Sequence, residues 1–283
     1  MSMHTNDLAS SLERDAGRVV LDVRRARRAR AASRWLPYRL AVAADDALRT
    51  ERPEHLDEPD YPADRKLAMV RALHRMNQLA GSYGRFLDIL EPHLRAAAVK
   101  RGGPARALEL ASGSGELTLA LATRAAKRGL AVEVTGSDYV PAVVAAARAR
   151  AAARGVPVQF EVLNAFDLER EATGRFDVVF TVQSMHHFSP GQLATIVAQS
   201  SRVATTAFVG IDGRRSAVLL AALPAVTALT AQRDFIHDAW LSARKFYPAD
   251  ELRALAQLAA PTSVSSVTAR GPFSVLTVAG RAL

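Results

Sequence analysis

The stretch Ala107-Leu-Glu-Leu-Ala-Ser-Gly-Ser-Gly-Glu116 limits what this chain can fold into more than any other segment. A short apolar run between Arg106 and a glycine turn reads as a buried parallel strand. The following Glu116-Leu-Thr-Leu-Ala-Leu-Ala-Thr-Arg124 has the density of helix formers expected of a packed helix. A strand, a glycine turn and a helix N-terminus together suit a ligand, because Gly113 and Gly115 lack a Cβ that would hold it off the backbone. The spacing is not that of a dinucleotide site, which needs a third glycine where Thr118 stands. Glu109, at the strand end, would repel a pyrophosphate and attract an ammonium group. A Gly-x-Gly turn by itself is equally compatible with a purely structural bend, so the segments after it decide.

From Arg106 onward the pattern alternates strand and helix. Lys127-Arg128-Gly129 closes the first helix with cations and a glycine cap. Ala131–Ser137 is the second strand, and a helix opens at Pro141 and closes at Gly155. Val158–Leu163, Phe176–Val182 and Ala204–Ile211 follow as strands, and Ser189-Pro-Gly-Gln192 has the form of a capping box. A helix near Pro248–Ala259 precedes two strands around Gly271-Pro272. The order predicts an α/β fold: a Rossmann-like, doubly wound, mostly parallel seven-stranded sheet with an antiparallel C-terminal edge strand. Upstream, residues 1–17 read as frayed and 18–34 as a basic helix that Trp35-Leu-Pro-Tyr38 breaks. Residues 50–64, with three prolines among acids, read as an irregular connector. Apolar residues at helical spacing from Arg65 to Leu90, interrupted by Gly81 and Gly84, and a second helix to Val99 complete a helical N-terminal extension. The expected division is a helical extension or lid over 1–103 and a core domain over 104–283, with 212–247 as a helical lid insert.

In such a sheet ligands bind at the carboxyl ends of the strands. Strand one delivers Glu109, Ala111, Gly113 and Gly115. Strand two ends at Asp138, an acid able to accept both hydroxyls of a ribose or to cap the Pro141 helix. Strand three ends in Asn164-Ala165-Phe166, an amide beside an aromatic ring, as a purine requires. Strand four ends in Gln183-Ser-Met-His-His-Phe188. Taken in order, Glu-Leu-Ala-Ser-Gly-Ser-Gly, Gly-Ser-Asp-Tyr-Val-Pro, Leu-Asn-Ala-Phe-Asp-Leu and Phe-Asp-Val-Val-Phe-Thr-Val-Gln-Ser-Met-His-His-Phe resemble the motif set of class I S-adenosylmethionine-dependent methyltransferases. The resemblance is greatest to the small-molecule branch with quinone-pathway and polyketide-modifying enzymes, and it spans about 106–211. Ala111 stands where the family usually has its first glycine, and Asn164 where an acid is common.

The resemblance implies S-adenosyl-L-methionine as cofactor. Its ammonium group would lie near Glu109 and the glycine backbone, its ribose at Asp138, and its adenine against Asn164, Ala165 and Phe166 with Tyr139 alongside. Tyr83, Arg85 and Gln183 complete the expected cofactor set, Arg85 facing the cofactor carboxylate. The implied activity is methyl transfer to a small, aromatic or polyketide-like acceptor of secondary metabolism, with O-methylation favoured over C- or N-methylation. An RNA methyltransferase and a non-catalytic cofactor-binding partner are the competing readings.

Charge is what raises the RNA reading. The formal net charge is +9, and nine arginines lie between Arg14 and Arg39. No Lys/Arg–aromatic alternation or zinc-knuckle spacing accompanies them, so a solvated helical face is expected and a nucleic-acid partner is not. The absence of cysteine excludes disulfides and thiolate metal sites. No secretory leader or membrane span is expected: the apolar run Ala217–Leu229 is too short and contains Pro224. The expected location is the cytoplasm, with oligomeric state open, a homodimer included.

Three histidines compete as catalytic groups. His186 and His187 follow strand four, and His237 lies in the insert, in Asp234-Phe-Ile-His-Asp-Ala-Trp240. A histidine near its ordinary pKa can take a phenolic or carboxylic proton at neutral pH. His237 is expected to face the acceptor as base or positioning group. No metal is expected, because adjacent His186 and His187 side chains should diverge and no third ligand is spaced with them.

Overall fold

The computed structural model of the chain describes residues 3–280, and within that range the side chains of 3–10, 171–172, 217–218 and 224 are not described. Seven strands form one sheet: β1 (Ala105–Glu109), β2 (Val132–Asp138), β3 (Gln159–Val162), β4 (Phe176–Val182), β5 (Ala204–Gly213), β6 (Val264–Arg270) and β7 (Phe273–Ala279). Their spatial order is β3-β2-β1-β4-β5-β7-β6. The first five pair in parallel, and β7 runs antiparallel to both its neighbours. The antiparallel strand thus lies one place inside the edge. The edge belongs to β6, since the Gly271 hairpin folds β7 back between β6 and β5. The chain reverses its direction of winding between β1 and β4, and this is where an open sheet of this kind leaves a crevice.

Side chains alternate across the central strands. Leu108, Val179 and Phe208 point into one core layer, while Ala107, Val178 and Val209 point into the other. The second layer is covered by α4 (Ser82–Arg101) and α5 (Glu116–Lys127), through Phe86, Leu87, Leu90 and Leu121. The first is covered by α8 (Pro190–Val203), α11 (Ala249–Ala259) and the long α1 (Met3–Ala32). Gly155 caps α6 (Pro141–Arg154) in the left-handed conformation, and Ser189 and Gln192 form the reciprocal capping box of α8.

Residues 3–17 are part of α1, contrary to a frayed terminus, and Ala16 and Val20 are buried against the core. Nor is the arginine cluster only a solvated face. Glu251 of α11, fully buried, accepts hydrogen bonds from Arg24, Arg27 and Arg49, and Asp250 accepts from Arg27. Arg28 pairs with Asp46 of α2 (Leu36–Ala47), which begins within the Trp35–Tyr38 segment, after α1 has ended at Ala32. Residues 50–62 form the irregular connector. They lead into α3 (Ala63–Leu79), which Gly81 separates from α4, whereas Gly84 lies inside α4. The insert after β5 consists of α9 (Ala217–Ala228) and α10 (Arg233–Lys245). Among the described residues no helix is long and apolar enough to cross a membrane.

Gly115 shows why the turn after β1 needs glycine. Its φ is +75°, and a Cβ there would stand 2.5 Å from Cζ of Phe160. Phe160 is itself buried, and it also fills the space that a side chain at Gly136 on the neighbouring strand would need. Gly115→Ala is therefore expected to destabilise the chain by about 2–4 kcal/mol through left-handed backbone strain and overpacking. A urea melt with an unchanged midpoint would contradict this. The glycine serves the packing against Phe160 of β3.

Candidate active site

Two cavities meet above the carboxyl ends of β1 and β4. The first, about 360 Å3, is bounded by the turn Ala111–Ser114, the start of α5, and by Glu109, Tyr83 and Gln183. Gly113 has φ +50° and open space where a Cβ would be. Ala111 adopts φ +53° although it carries a Cβ, a conformation that costs an alanine about 1–2 kcal/mol and that glycine adopts freely. Ser112 Oγ is buried without a hydrogen-bond partner. The α5 N-terminus adds unpaired amides and a positive dipole end. These groups fit a ligand with several polar atoms and a cationic amine.

Glu109 faces this cavity with 3% of its surface exposed. Burial pushes its carboxyl up to about 8, and the Thr118 hydroxyl, which donates to it at 2.6 Å, opposes the shift. The native state therefore prefers the neutral acid at pH 7. The unfolded chain ionises near the ordinary 4.5, so the stability contributed by the neutral form is complete below 4.5 and is lost as pH rises through 8. Glu109→Gln, which cannot ionise, is expected to gain on the wild type between pH 5 and pH 9 by an amount on the order of a few kcal/mol. Parallel melts across that range with no divergence would refute the assignment. The same variant should bind a cationic ligand about tenfold or more weakly, since the ligand's ammonium group favours the ionised carboxylate and that charge-assisted bond is lost.

Tyr83 is buried with its hydroxyl 2.7 Å from His74 Nδ1, and burial, helped by Glu116 and Glu109, holds the phenol well above its usual range. Gln183 takes φ +56° and accepts from Asn77 Nδ2 at 2.7 Å. Asp138 does not line the cavity. One of its oxygens accepts from the Gly113 amide at 3.2 Å and the other from the Val140 amide at 3.0 Å, so it holds the glycine turn in place. Tyr139 is exposed. Asn164 accepts from the Phe166 amide, and Phe166 stands edge-on to Phe188 of the cavity wall. Asn164, Ala165 and Phe166 thus lie beside the cavity and outside its lining, as does Gly115.

The second cavity, about 290 Å3, lies under α9 and α10 and is largely apolar, with Leu73, Met76, Leu223, Phe235, Phe246 and Phe273 in its wall. Arg85 lines this cavity and not the first, although Tyr83 from the same turn of α4 lines the first. At the cavity base lie His186 and His187, on the one-turn helix Met185–His187. His186 Nδ1 meets Asp212 at 2.9 Å, and the Asp212 carboxylate also accepts from the His186 amide. His187 Nδ1 meets Asp57 at 3.0 Å. Burial lowers the His187 pKa, but Asp57 and Glu54 outweigh it and the net shift is upward. His187 lines both cavities and so stands at their junction.

His237 is placed differently from the sequence-based expectation. On α10, Phe235, Asp238, Ala239 and Ser242 share the helical face that lines the acceptor-side cavity, whereas His237 lies outside both cavities. Its ring stacks on His55 at 4.4 Å and is half exposed. Asp238 accepts from the amides of His55 and Leu56 and also lies 3.2 Å from His237 Nδ1.

Sequence reasoning also missed the partners of the histidine pair. Glu54 and Asp57 sit in the acidic, proline-rich connector, whose composition announces only irregularity. Asp212 ends β5, a position that the strand-end rule applied to the fifth strand would have singled out. Glu54 is 2% exposed, accepts from Ser242 Oγ at 2.9 Å, and lies 3.7 Å from His186 Nε2 and 3.9 Å from His187 Nε2. The two rings do not diverge: their centroids are 4.2 Å apart. A third potential ligand is therefore present that sequence spacing could not reveal.

The sheet order, the switch-point crevice and the glycine turn are those of the Rossmann-like methyltransferase fold. Residues 107–206 match the methyltransferase domain family. Demethylmenaquinone methyltransferase of Thermus thermophilus is 34% identical over 110 residues, covering 37% of this chain and 48% of that protein. The match thus spans about half the length of that relative. The structure of plantazolicin methyltransferase BamL, in complex with a desmethyl-plantazolicin analogue and SAH, is similar with a TM-score of 0.58 and 15% identity, covering 84% of this chain and 97% of that one. The CMeT domain of the citrinin polyketide synthase gives a TM-score of 0.54 with 18% identity, covering 85% of this chain and 63% of that one. At these identities the structural likeness concerns the fold.

Proposed function

We propose that this chain methylates a small, apolar, aromatic or polyketide-like acceptor on an oxygen atom, using S-adenosylmethionine. The observation that carries the reading is the junction of two cavities at His187. One offers an acid, a glycine turn and a helix N-terminus to a cationic amino-acid moiety. The other offers apolar walls and two carboxylate-oriented imidazoles to an acceptor. S-adenosylmethionine supplies an electrophilic methyl group when bound. Glu109, Gly113 and the orphaned Ser112 hydroxyl would hold its amino-acid end, and Gln183, fixed by Asn77, would border it. The adenosine half would extend over Gly113 toward Asp138 and Phe166, beyond the enclosed part of the site.

The chain's own contribution to the reaction is placement and proton removal. Helices α3, α9 and α10 act as the lid that holds the acceptor and excludes water, and placement alone can supply much of the rate. The His187 imidazole, aligned by Asp57, takes the acceptor proton, with His186 and Asp212 beside it. O-methylation is preferred because a hydroxyl is the acceptor group that most needs such a base. The relatives named as acting on a quinone precursor and in polyketide synthesis support an acceptor of that size and polarity. The test is calorimetry with S-adenosylmethionine together with mass-spectrometric screening of phenolic and polyketide acceptors. Micromolar cofactor binding that Gly113→Val abolishes, with a product heavier by one methylene on oxygen, is expected. Tight cofactor binding with no turnover on any acceptor class would favour a non-catalytic partner protein.

A further inference from the structure

We propose that Glu54, His186 and His187 bind a divalent first-row transition-metal ion of the zinc or ferrous type, with its open position facing the acceptor cavity. The ligand atoms of these three residues lie within 4.8 Å of one another. Two imidazoles and one carboxylate form a donor set that suits such ions and leaves coordination positions free. The arrangement behind the ligands matches as well. Each imidazole has its Nδ1 on a carboxylate, His186 on Asp212 and His187 on Asp57, which turns both Nε2 atoms toward Glu54. Metal-bound histidines are oriented in this way, and the carboxylate raises the basicity of the ligating nitrogen.

A second observation is that the negative charge at this site is shared with one ammonium group only through longer contacts. Glu54 is almost wholly buried, and its Oε1 has no hydrogen bond. Lys245 Nζ lies 3.3 Å from that oxygen and 3.8 Å from Asp57, a single ammonium group shared by Glu54 and Asp57, while Asp212 pairs with His186. The remaining charges on the cavity wall do not settle the imbalance: Asp238 is occupied by backbone amides, and Arg85 is exposed. A cation at Glu54 would leave Lys245 to Asp57. The Nε2–carboxylate separations of 3.7 and 3.9 Å exceed the about 3.3 Å that tetrahedral ligands at zinc distances would show, so the rings need to close by about half an ångström.

What the ion would do rests on the proposed methyl transfer: with His187 then serving as ligand in place of base, the ion would bind the acceptor hydroxyl and let its proton leave to water near neutral pH. Binding itself does not depend on that reading, and the test is chosen accordingly. Full-length protein, stripped with chelator, is titrated with Zn2+ by calorimetry and with Co2+ by visible absorption, without cofactor or acceptor. One equivalent is expected to bind with micromolar or tighter affinity. Glu54→Gln and His187→Ala should weaken it about a hundredfold or more, and Asp212→Asn about ten- to a hundredfold. Lys245→Met should tighten it, a gain that general damage to the fold cannot mimic. No saturable binding by the wild type overturns the site. So does binding that survives Glu54→Gln but is lost in His237→Ala, which would place the ion at His55, His237 and Asp238, the other such group among the described residues. A protein that binds Zn2+ at Glu54 but methylates nothing contradicts the proposed function and leaves the metal site standing.

Discussion

Alanine in place of His187 is expected to lower turnover by about 10²–10⁴-fold while cofactor affinity stays within about twofold. His187 is the titratable side chain that lines both cavities, so its imidazole stands where donor and acceptor must meet. The cofactor side keeps Glu109, Gly113 and Gln183 in the variant, which is why binding should survive. As proton acceptor or as metal ligand, His187 acts on the acceptor, and both roles place the loss in turnover. His237→Ala serves as the comparison. That ring lies outside both cavities, and the variant should turn over at close to the wild-type rate. Stopped assays with the identified acceptor, beside calorimetry with S-adenosylmethionine, check both statements. Full turnover in His187→Ala together with loss in His237→Ala would reverse the assignment of the acceptor side.

The second large effect concerns stability. Glu251→Gln is expected to destabilise the chain by about 3–5 kcal/mol. Glu251 is fully buried between α1 and α11 and accepts from the guanidinium groups of Arg24, Arg27 and Arg49. Glutamine preserves the shape and removes the charge, so three partly buried cations lose their common counter-ion. Asp250 compensates only Arg27, with which it pairs at the rim. Chemical denaturation should show the lower midpoint, and proteolysis should begin in α1, whose hold on α11 is weakened. Unchanged denaturation would mean that Ala16, Val20 and their apolar neighbours anchor α1 without help from the ion pairs.

The sheet and its order of elements were legible in the sequence because they are set locally. Apolar runs of strand length, Pro141 and Gly155 around one helix, and the Ser189–Gln192 box each act within a few residues. The glycine turn with Glu109 was legible for the same reason: one strand, one bend and one helix start carry it. For the expected cofactor residues, chain order gave the strand ends but not which side chains line the cavity. Glu109, Ala111, Gly113 and Gln183 line the cavity, while Asp138 reaches it only through the Gly113 amide.

Only the tertiary structure decided the acceptor side and the role of the arginines. Glu54, Asp57, Asp212 and Lys245 come from a connector, a strand end and a helix end far apart in the chain, and no spacing rule links them to His186 and His187. Helical phase decided His237: α10 turns residues 235, 238, 239 and 242 to the cavity and leaves 237 outside. Arg24 and Arg27 of α1 read as solvated because their partners, Asp250 and Glu251, lie more than two hundred residues away and enter only when α11 packs beside them. Patterns in sequence report the forces that act along the chain, and charge pairing and cavity lining arise from contacts across it.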